Sequence, residues 1–280
     1  MRARGDGRRP AIMTIDLEDY RRQELRDHLG LPQPANPREV ERQLDIVLEL
    51  LDICDARATF LAVGRLAAEL SRSVWPRIAA RHRIGCHGHE HERVARQGPG
   101  RFREDLRAAK AELQDAAGVP VVSFRAPYMS SDGCDPWFGE ALASVGFRLD
   151  SSRRLRRPPP GFHGTLPVPG TGGEVTEVPF PCIGFGEKRL TIIGGTYFRL
   201  LPLPVITHLL ARCERRGFVP LVYLHPYDVD PDAPPLAYPR GYWRQRAGDR
   251  MRRTGRTSAA SKLRALARRY AFQPMESLVN

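Results

Sequence analysis

The chain has 280 residues, 41% hydrophobic and 27% charged, enough for one sizeable enzyme domain or two small ones. No apolar run approaches the roughly 20 residues that span a bilayer, and the basic residues 1–10 lead into a short apolar strand rather than a secretory signal, so a cytoplasmic location is expected. The net charge of +12 invites a nucleic-acid reading, but no zinc-finger spacing, RNA-recognition aromatic motif or helix-turn-helix signature accompanies it, and no specific nucleic acid is expected as a partner.

Residues 11–15 read as a short apolar strand, followed by a polar loop with Pro32, Pro34 and Pro37. Asn36-Pro37-Arg38-Glu39 supplies an N-cap, a first-turn proline and a capping-box acid, opening a helix with the stripe Val40, Leu44, Val47, Leu48 and Leu51. Residues 58–63 form the next strand, and a helical stretch over 74–80 leads to a short strand before His87. Pro99 opens a helix with Phe102, Leu106, Ala109 and Leu113 on one face, ending near Gly118. Residues 119–124 are a strand, Asp135-Pro136 caps a helix that stops at Gly146, and 147–149 return as strand. Further strands are predicted over 174–180 and 189–193, with Gly194-Gly195 as a turn. Pro204 begins a helix through Ile206, Leu209, Leu210 and Cys213 that Gly217 closes, and 219–224 is the last clear strand. A final helix over 258–270 has Leu263, Leu266 and Tyr270 on one side, enough to dock on the rest. The alternation implies mostly parallel strands with helical crossovers.

The polar residues fall at the ends of these strands. Asp16, Glu18 and Asp19 follow the first, His87 and His91 another, and Arg125, Asp150 and His225 follow three more. In a parallel α/β barrel such ends converge on one face, where active sites are built. Within His87-Gly88-His89-Glu90-His91, residues four apart share a face of a helical turn, so His87 and His91 offer two imidazoles to one divalent metal. His89 points away, and Cys86 is an alternative thiolate ligand. The five cysteines are scattered without a Cys-x-x-Cys pair and read as reduced thiols. The excess charge concentrates in 153–157 and 240–269, where an anionic polymer or the inner membrane surface is a possible partner for the basic C-terminal region.

Thr14-Ile15-Asp16-Leu17-Glu18-Asp19, His87-x-x-x-His91, Arg125-Ala126-Pro127-Tyr128, Asp150-Ser151-Ser152 and Leu224-His225 occur in the order of the five motifs of the polysaccharide deacetylases. Residues 10–230 thus resemble this family, the NodB-homology carbohydrate esterases of family 4. The stretches 194–202 and 224–231 look like the subfamily encoded with exosortase and exopolysaccharide loci, and the C-terminal extension ends similarly at 262–266 and 272–275.

The resemblance implies an α/β fold, a distorted (β/α)7 barrel over residues 10–232, with a basic tail over 1–9 and a basic, partly helical extension over 233–280 packing on it. It implies a metal-dependent hydrolase that removes N-acetyl groups from amino-sugar residues of a bacterial exopolysaccharide or its lipid-linked precursor. One divalent metal is expected, Zn2+ with Co2+ or Ni2+ as alternatives. By this resemblance Asp16 is the general base, His225 the general acid, Arg125 the group that orients Asp16, and the Tyr128 backbone N–H the oxyanion donor. His87 and His91 are metal ligands together with a carboxylate. The family pattern has two adjacent aspartates here, whereas this chain reads Asp16-Leu17-Glu18-Asp19. Strand alternation puts Asp16 and Glu18 on one side, favouring Glu18; a turn after Leu17 would substitute Asp19. Asp150, Arg199 and Tyr197 are substrate-binding candidates, and Asp228 or Asp230 tunes the His225 imidazole. Two other readings are a relative acting on a small cyclic amide or ureide, and a non-catalytic barrel that binds polymer.

Overall fold

Residues 11–17 are an unbroken run of buried side chains, the signature of a strand covered on both faces. In the computed structural model, which describes residues 7–183, 190, 191 and 193–279, this run is the centre of β1 (Arg9–Leu17). Most of the predicted basic tail, and Arg189 and Ile192 of a predicted strand, lie outside the described residues.

The strands that follow are β2 (Thr59–Ala62), β3 (Arg83–Cys86), β4 (Ser123–Phe124), β5 (Leu149–Asp150), β6 (Arg154–Leu155), β7 (Leu166–Pro167), β8 (Thr176–Glu177), β9 (Phe180–Ile183), β10 (Leu190–Thr191), β11 (Leu221–Leu224) and β12 (Tyr270–Gln273). The helices are α1 (Tyr20–Arg22), continued by a π-helical turn Gln23–Asp27, α2 (Pro37–Ile53), α3 (Leu66–Glu69), α4 (Val74–Ala79), α5 (Val94–Ala117), α6 (Trp137–Ser144), α7 (Gly195–Leu200), α8 (Leu203–Arg215), α9 (Trp243–Arg253) and α10 (Arg256–Ala267).

The main sheet runs β11-β1-β2-β3-β4-β5-β8-β7, and every pairing from β11 to β8 is parallel. It curls into a half-barrel, an α/β fold of the expected distorted type. β7 adds an antiparallel edge, and β6, β9 and β10 make a small second sheet. Helices cover the outside: Val40, Leu44, Val47 and Leu51 of α2 are buried, as are Phe102, Leu106, Ala109 and Leu113 of α5. Asn36 caps α2 by accepting the Glu39 N–H at 3.4 Å. No helix among the described residues is long and apolar enough to cross a membrane.

Four local expectations change. The strand predicted over 174–180 is split into β8 and β9 around Pro179, which has no N–H for the ladder. Gly194-Gly195 opens α7 rather than making a simple turn, and a side chain at Gly194 would collide with the Tyr223 ring, 2.1 Å from where its Cβ would stand. The loop after β1 contains α1 and the π-turn. Tyr270 leaves the last helix and starts β12, because residues 9–12 of β1 offer a parallel backbone partner from Arg9↔Tyr270 to Ile12↔Gln273.

Candidate metal centre and catalytic pocket

β1 carries Asp16 near its carboxyl end and continues into Glu18, so both side chains reach the same cavity, about 410 Å³ in volume. Asp19 turns elsewhere: its carboxylate accepts N–H bonds from Arg22 (3.1 Å) and Asn36 (3.2 Å), capping α1. His87 stands at the end of β3. Its Nδ1 lies 2.8 Å from the Arg125 carbonyl, which only accepts, so Nδ1 carries the hydrogen and Nε2 keeps a free lone pair.

His91 reaches the same point by a route the spacing does not predict. The segment is a loop, not a helical turn, with left-handed backbone at Gly88 (φ 75°) and His91 (φ 58°). The two imidazole centroids are 4.8 Å apart, and His91 Nε2 is 3.0 Å from Glu18 Oε2. Ligand atoms of Glu18, His87 and His91 all lie within 4.8 Å of one another, and all three residues are buried. Two imidazoles and a carboxylate are a donor set suited to a divalent ion such as zinc. His89 faces outward between Glu90 (3.2 Å) and Glu112 (3.1 Å). Cys86 is buried outside this cluster, and burial pushes its thiol up, against thiolate ligation.

Charge in the pocket follows from burial and neighbours. Burial would raise the Glu18 carboxyl, but His91, His225 and His87 outweigh it and hold it at about 2. Burial lowers His87 to about 4, leaving the neutral imidazole a metal requires. For His225 burial is outweighed by Glu18 and by Asp228, which together raise it to about 9. Asp228 Oδ2 is 3.0 Å from His225 Nδ1, so the other ring nitrogen, Nε2, faces Glu18 at 3.7 Å.

Arg125 is fully buried, and each of its three nitrogens donates a hydrogen bond. It donates to Asp16 Oδ1 (2.5 Å), Thr14 Oγ1 (3.0 Å), the Ser151 carbonyl (3.0 Å) and Ser151 Oγ (3.2 Å). Tyr128 follows on a short turn with φ 58°, its hydroxyl 2.7 Å from His28 Nε2 and 3.2 Å from His91 Nδ1. Tyr197 lines the cavity.

Two predicted substrate contacts lie away from the cavity. Arg199 is buried behind it, donating to Asp228 Oδ1 at 2.6 Å and to the carbonyl of Thr254 at 2.8 Å, which leaves it holding Asp228 rather than reaching a ligand. Asp150 is buried too; it accepts from Ser152 Oγ at 2.5 Å, and Ser152 in turn accepts the Ala126 N–H at 2.8 Å. Burial and the adjacent Glu177 raise the Asp150 carboxyl, so it braces the Arg125–Tyr128 loop from behind. Asp230 pairs with Arg42 at 2.5 Å and is not the partner of His225.

Sequence reading missed one wall of the cavity: Tyr20, Gln23, Glu24 and His28 from the α1 and π-turn segment, Tyr223 and Tyr227 around His225, and Arg252 from α9. Gln23 Nε2 lies 3.2 Å from Glu18 Oε2 and against His91. Arg252 donates to Glu24 Oε1 (3.0 Å) and Tyr20 Oη (3.1 Å). A polar loop without periodicity carries no signal for the first group, and Arg252 is indistinguishable in sequence from its arginine neighbours. The Tyr-x-His-x-Tyr pattern at 223–227 was the one available hint.

Comparison with known proteins gives two family matches. Residues 38–147 match the polysaccharide deacetylase family, and residues 160–280 match a domain of unknown function, DUF3473. A bifunctional xylanase/deacetylase of Pseudobutyrivibrio xylanivorans is 27% identical over 85 residues, 30% of this chain and only 14% of that protein's length. Among solved structures, a Mycobacterium smegmatis protein assigned to the polysaccharide deacetylases superposes with a TM-score of 0.62 at 19% identity, covering 99% of this chain and 91% of the other. A peptidoglycan N-acetylglucosamine deacetylase superposes with a TM-score of 0.51 at 15% identity over 96% of this chain and 86% of the other. These likenesses establish the fold, and residues 38–147 of the chain match the polysaccharide deacetylase family.

Proposed function

We propose that the protein is a metal-dependent hydrolase that removes N-acetyl groups from amino-sugar residues of a bacterial exopolysaccharide or its lipid-linked precursor. The observation that carries this reading is the gathering of Glu18, His87 and His91 within 4.8 Å, in one cavity with Asp16 and His225. In this reading those three residues hold one divalent ion, zinc first and cobalt or nickel as substitutes. When bound, such an ion polarises the acetyl carbonyl and lowers the pKa of a water molecule.

The chain's own residues supply the proton transfers. Arg125 holds Oδ1 of Asp16, leaving Oδ2 to take the proton of the attacking water as its oxygen bonds to the acetyl carbon. The Tyr128 backbone N–H donates to the oxyanion. His225 then gives its Nε2 proton to the sugar nitrogen as the C–N bond breaks, because an amine leaves readily only when protonated. Asp228 accepts from Nδ1–H and fixes the ring, Arg199 fixes Asp228, and the products are acetate and a free amino sugar. Tyr197 contacts the sugar.

The test is acetate release from N-acetylglucosamine oligomers after chelation and reconstitution with zinc, cobalt or nickel. Activity that depends on the added ion and collapses in Asp16→Asn is expected. Chelated enzyme that turns over as fast as reconstituted enzyme, or an Asp16→Asn variant as active as wild type, overturns the reading.

A further inference from the structure

We infer that α9 is an anion-binding arm of the active site and that the polysaccharide acted on carries carboxylate groups; this deepens the deacetylase reading and rests on it. Residues 240–256 contain seven arginines against one aspartate, a net +6 out of the chain's +12. On the barrel, surface arginines meet acids, as in Arg77–Asp45 at 2.7 Å and Arg81–Asp52 at 2.8 Å. On α9 the one acid, Asp249, is buried and accepts the Leu236 N–H. Arg250 and Arg253 form no ion pair with a described residue.

The helix walls two cavities. Arg252, paired with Glu24, faces the catalytic cavity, whereas Arg246, Arg250 and Arg253, with Asp249 beside them, line a second cavity of about 560 Å³ against the Pro235 to Tyr238 segment. At 100° per residue, Arg252 lies to one side of an exposed ridge made by Trp243, Ala247 and Met251, and the other three arginines lie to the far side. Crossing a helix means crossing about 10–12 Å, which a short run of sugar residues does. A chain held by its acetylated sugar over Glu18, His87 and His91 therefore passes Trp243 and reaches the second arginine group. Guanidinium groups pair bidentately with carboxylates, and the Trp243 indole, 68% exposed, offers an apolar face to a sugar ring. A bilayer fits less well: two large apolar side chains set among arginines give little area for insertion.

The test compares a hyaluronan hexasaccharide, which alternates N-acetylglucosamine with glucuronate, and a neutral chitin hexasaccharide, using the full chain and its Arg250→Ala/Arg253→Ala variant. Both substituted side chains are exposed, so folding is retained and is verified by circular dichroism. Calorimetric binding is expected to favour hyaluronan about tenfold, equivalent to ~1.4 kcal/mol, with the preference shrinking at high salt and disappearing in the variant. Acetate release from the chitin oligomer should be the same in both proteins. Equal binding of the two glycans, or a preference that survives the double substitution, overturns the inference. Sedimentation with phosphatidylglycerol vesicles that depends on Arg250 and Arg253, with no glycan preference, overturns it in favour of a membrane surface. Preferential hyaluronan binding with no acetate release from either glycan fails the deacetylase reading while upholding the acidic-glycan surface.

Discussion

The two ends of the parallel sheet each bury a glutamate, and they treat it in opposite ways. At the carboxyl end Glu18 sits among His87, His91 and His225, and its carboxyl is held at about 2. At the amino end Glu276, just past β12, accepts hydroxyl protons from Thr59 (2.5 Å) and Ser123 (2.6 Å), the first residues of β2 and β4, and burial raises its carboxyl. Burial acts in the same direction at both; the difference lies in the neighbours, ionisable imidazoles above and neutral hydroxyls below. One end keeps a charge available for a cation. The other closes the sheet with hydrogen bonds, the division between a catalytic and a stabilising face seen in α/β barrels.

The sharpest way to break this contrast is His87→Ala. Metal content measured by mass spectrometry should fall to background and acetate release by on the order of a thousandfold or more, with the fold intact; retained metal would show that the upper end is not the centre. Asp228→Asn comes next. It loosens the His225 ring and leaves Arg199 buried without its anion, so kcat should drop about a hundredfold and unfolding free energy by ~3 kcal/mol, read by steady-state kinetics and urea denaturation.

At the lower end, Glu276→Ala should cost about 2 kcal/mol through two stranded buried hydroxyls and a void, with kcat and KM unchanged. The smallest effect is a pH dependence. Because the Glu276 pKa is raised in the folded protein, its contribution is complete below the unfolded value near 4.5 and is lost as pH rises through the folded value. Glu276→Gln removes that titration, so its Tm relative to wild type should improve from pH 4 to pH 8; a constant difference would mean that folding leaves the Glu276 pKa unshifted.

The site was partly legible because strand ends in parallel folds gather at one edge. Asp16, His87, Arg125 and His225 each follow an apolar run, and each is found at the cavity. Strand alternation favours Glu18 over Asp19, and Asn36, 17 positions beyond Asp19, draws Asp19 away by supplying an N–H for it to accept. Arg199 reads as a groove residue only while the acid that captures it, Asp228, is unplaced. His91 joins His87 through left-handed backbone, a conformation that neither the spacing nor the residue type announces.

By itself the sequence determined the α/β alternation, the buried faces of α2 and α5, and the strand ends at which chemistry is placed, since periodicity and strand alternation are local properties of the backbone. The tertiary structure alone decided that Asp19 turns away to the Arg22 and Asn36 N–H groups, that Tyr270 pairs as a strand against Arg9, and that Arg252 reaches Glu24 across more than two hundred residues. Those outcomes depend on which unpaired N–H, carbonyl or charge is brought within hydrogen-bond reach, and only the folded chain sets that distance.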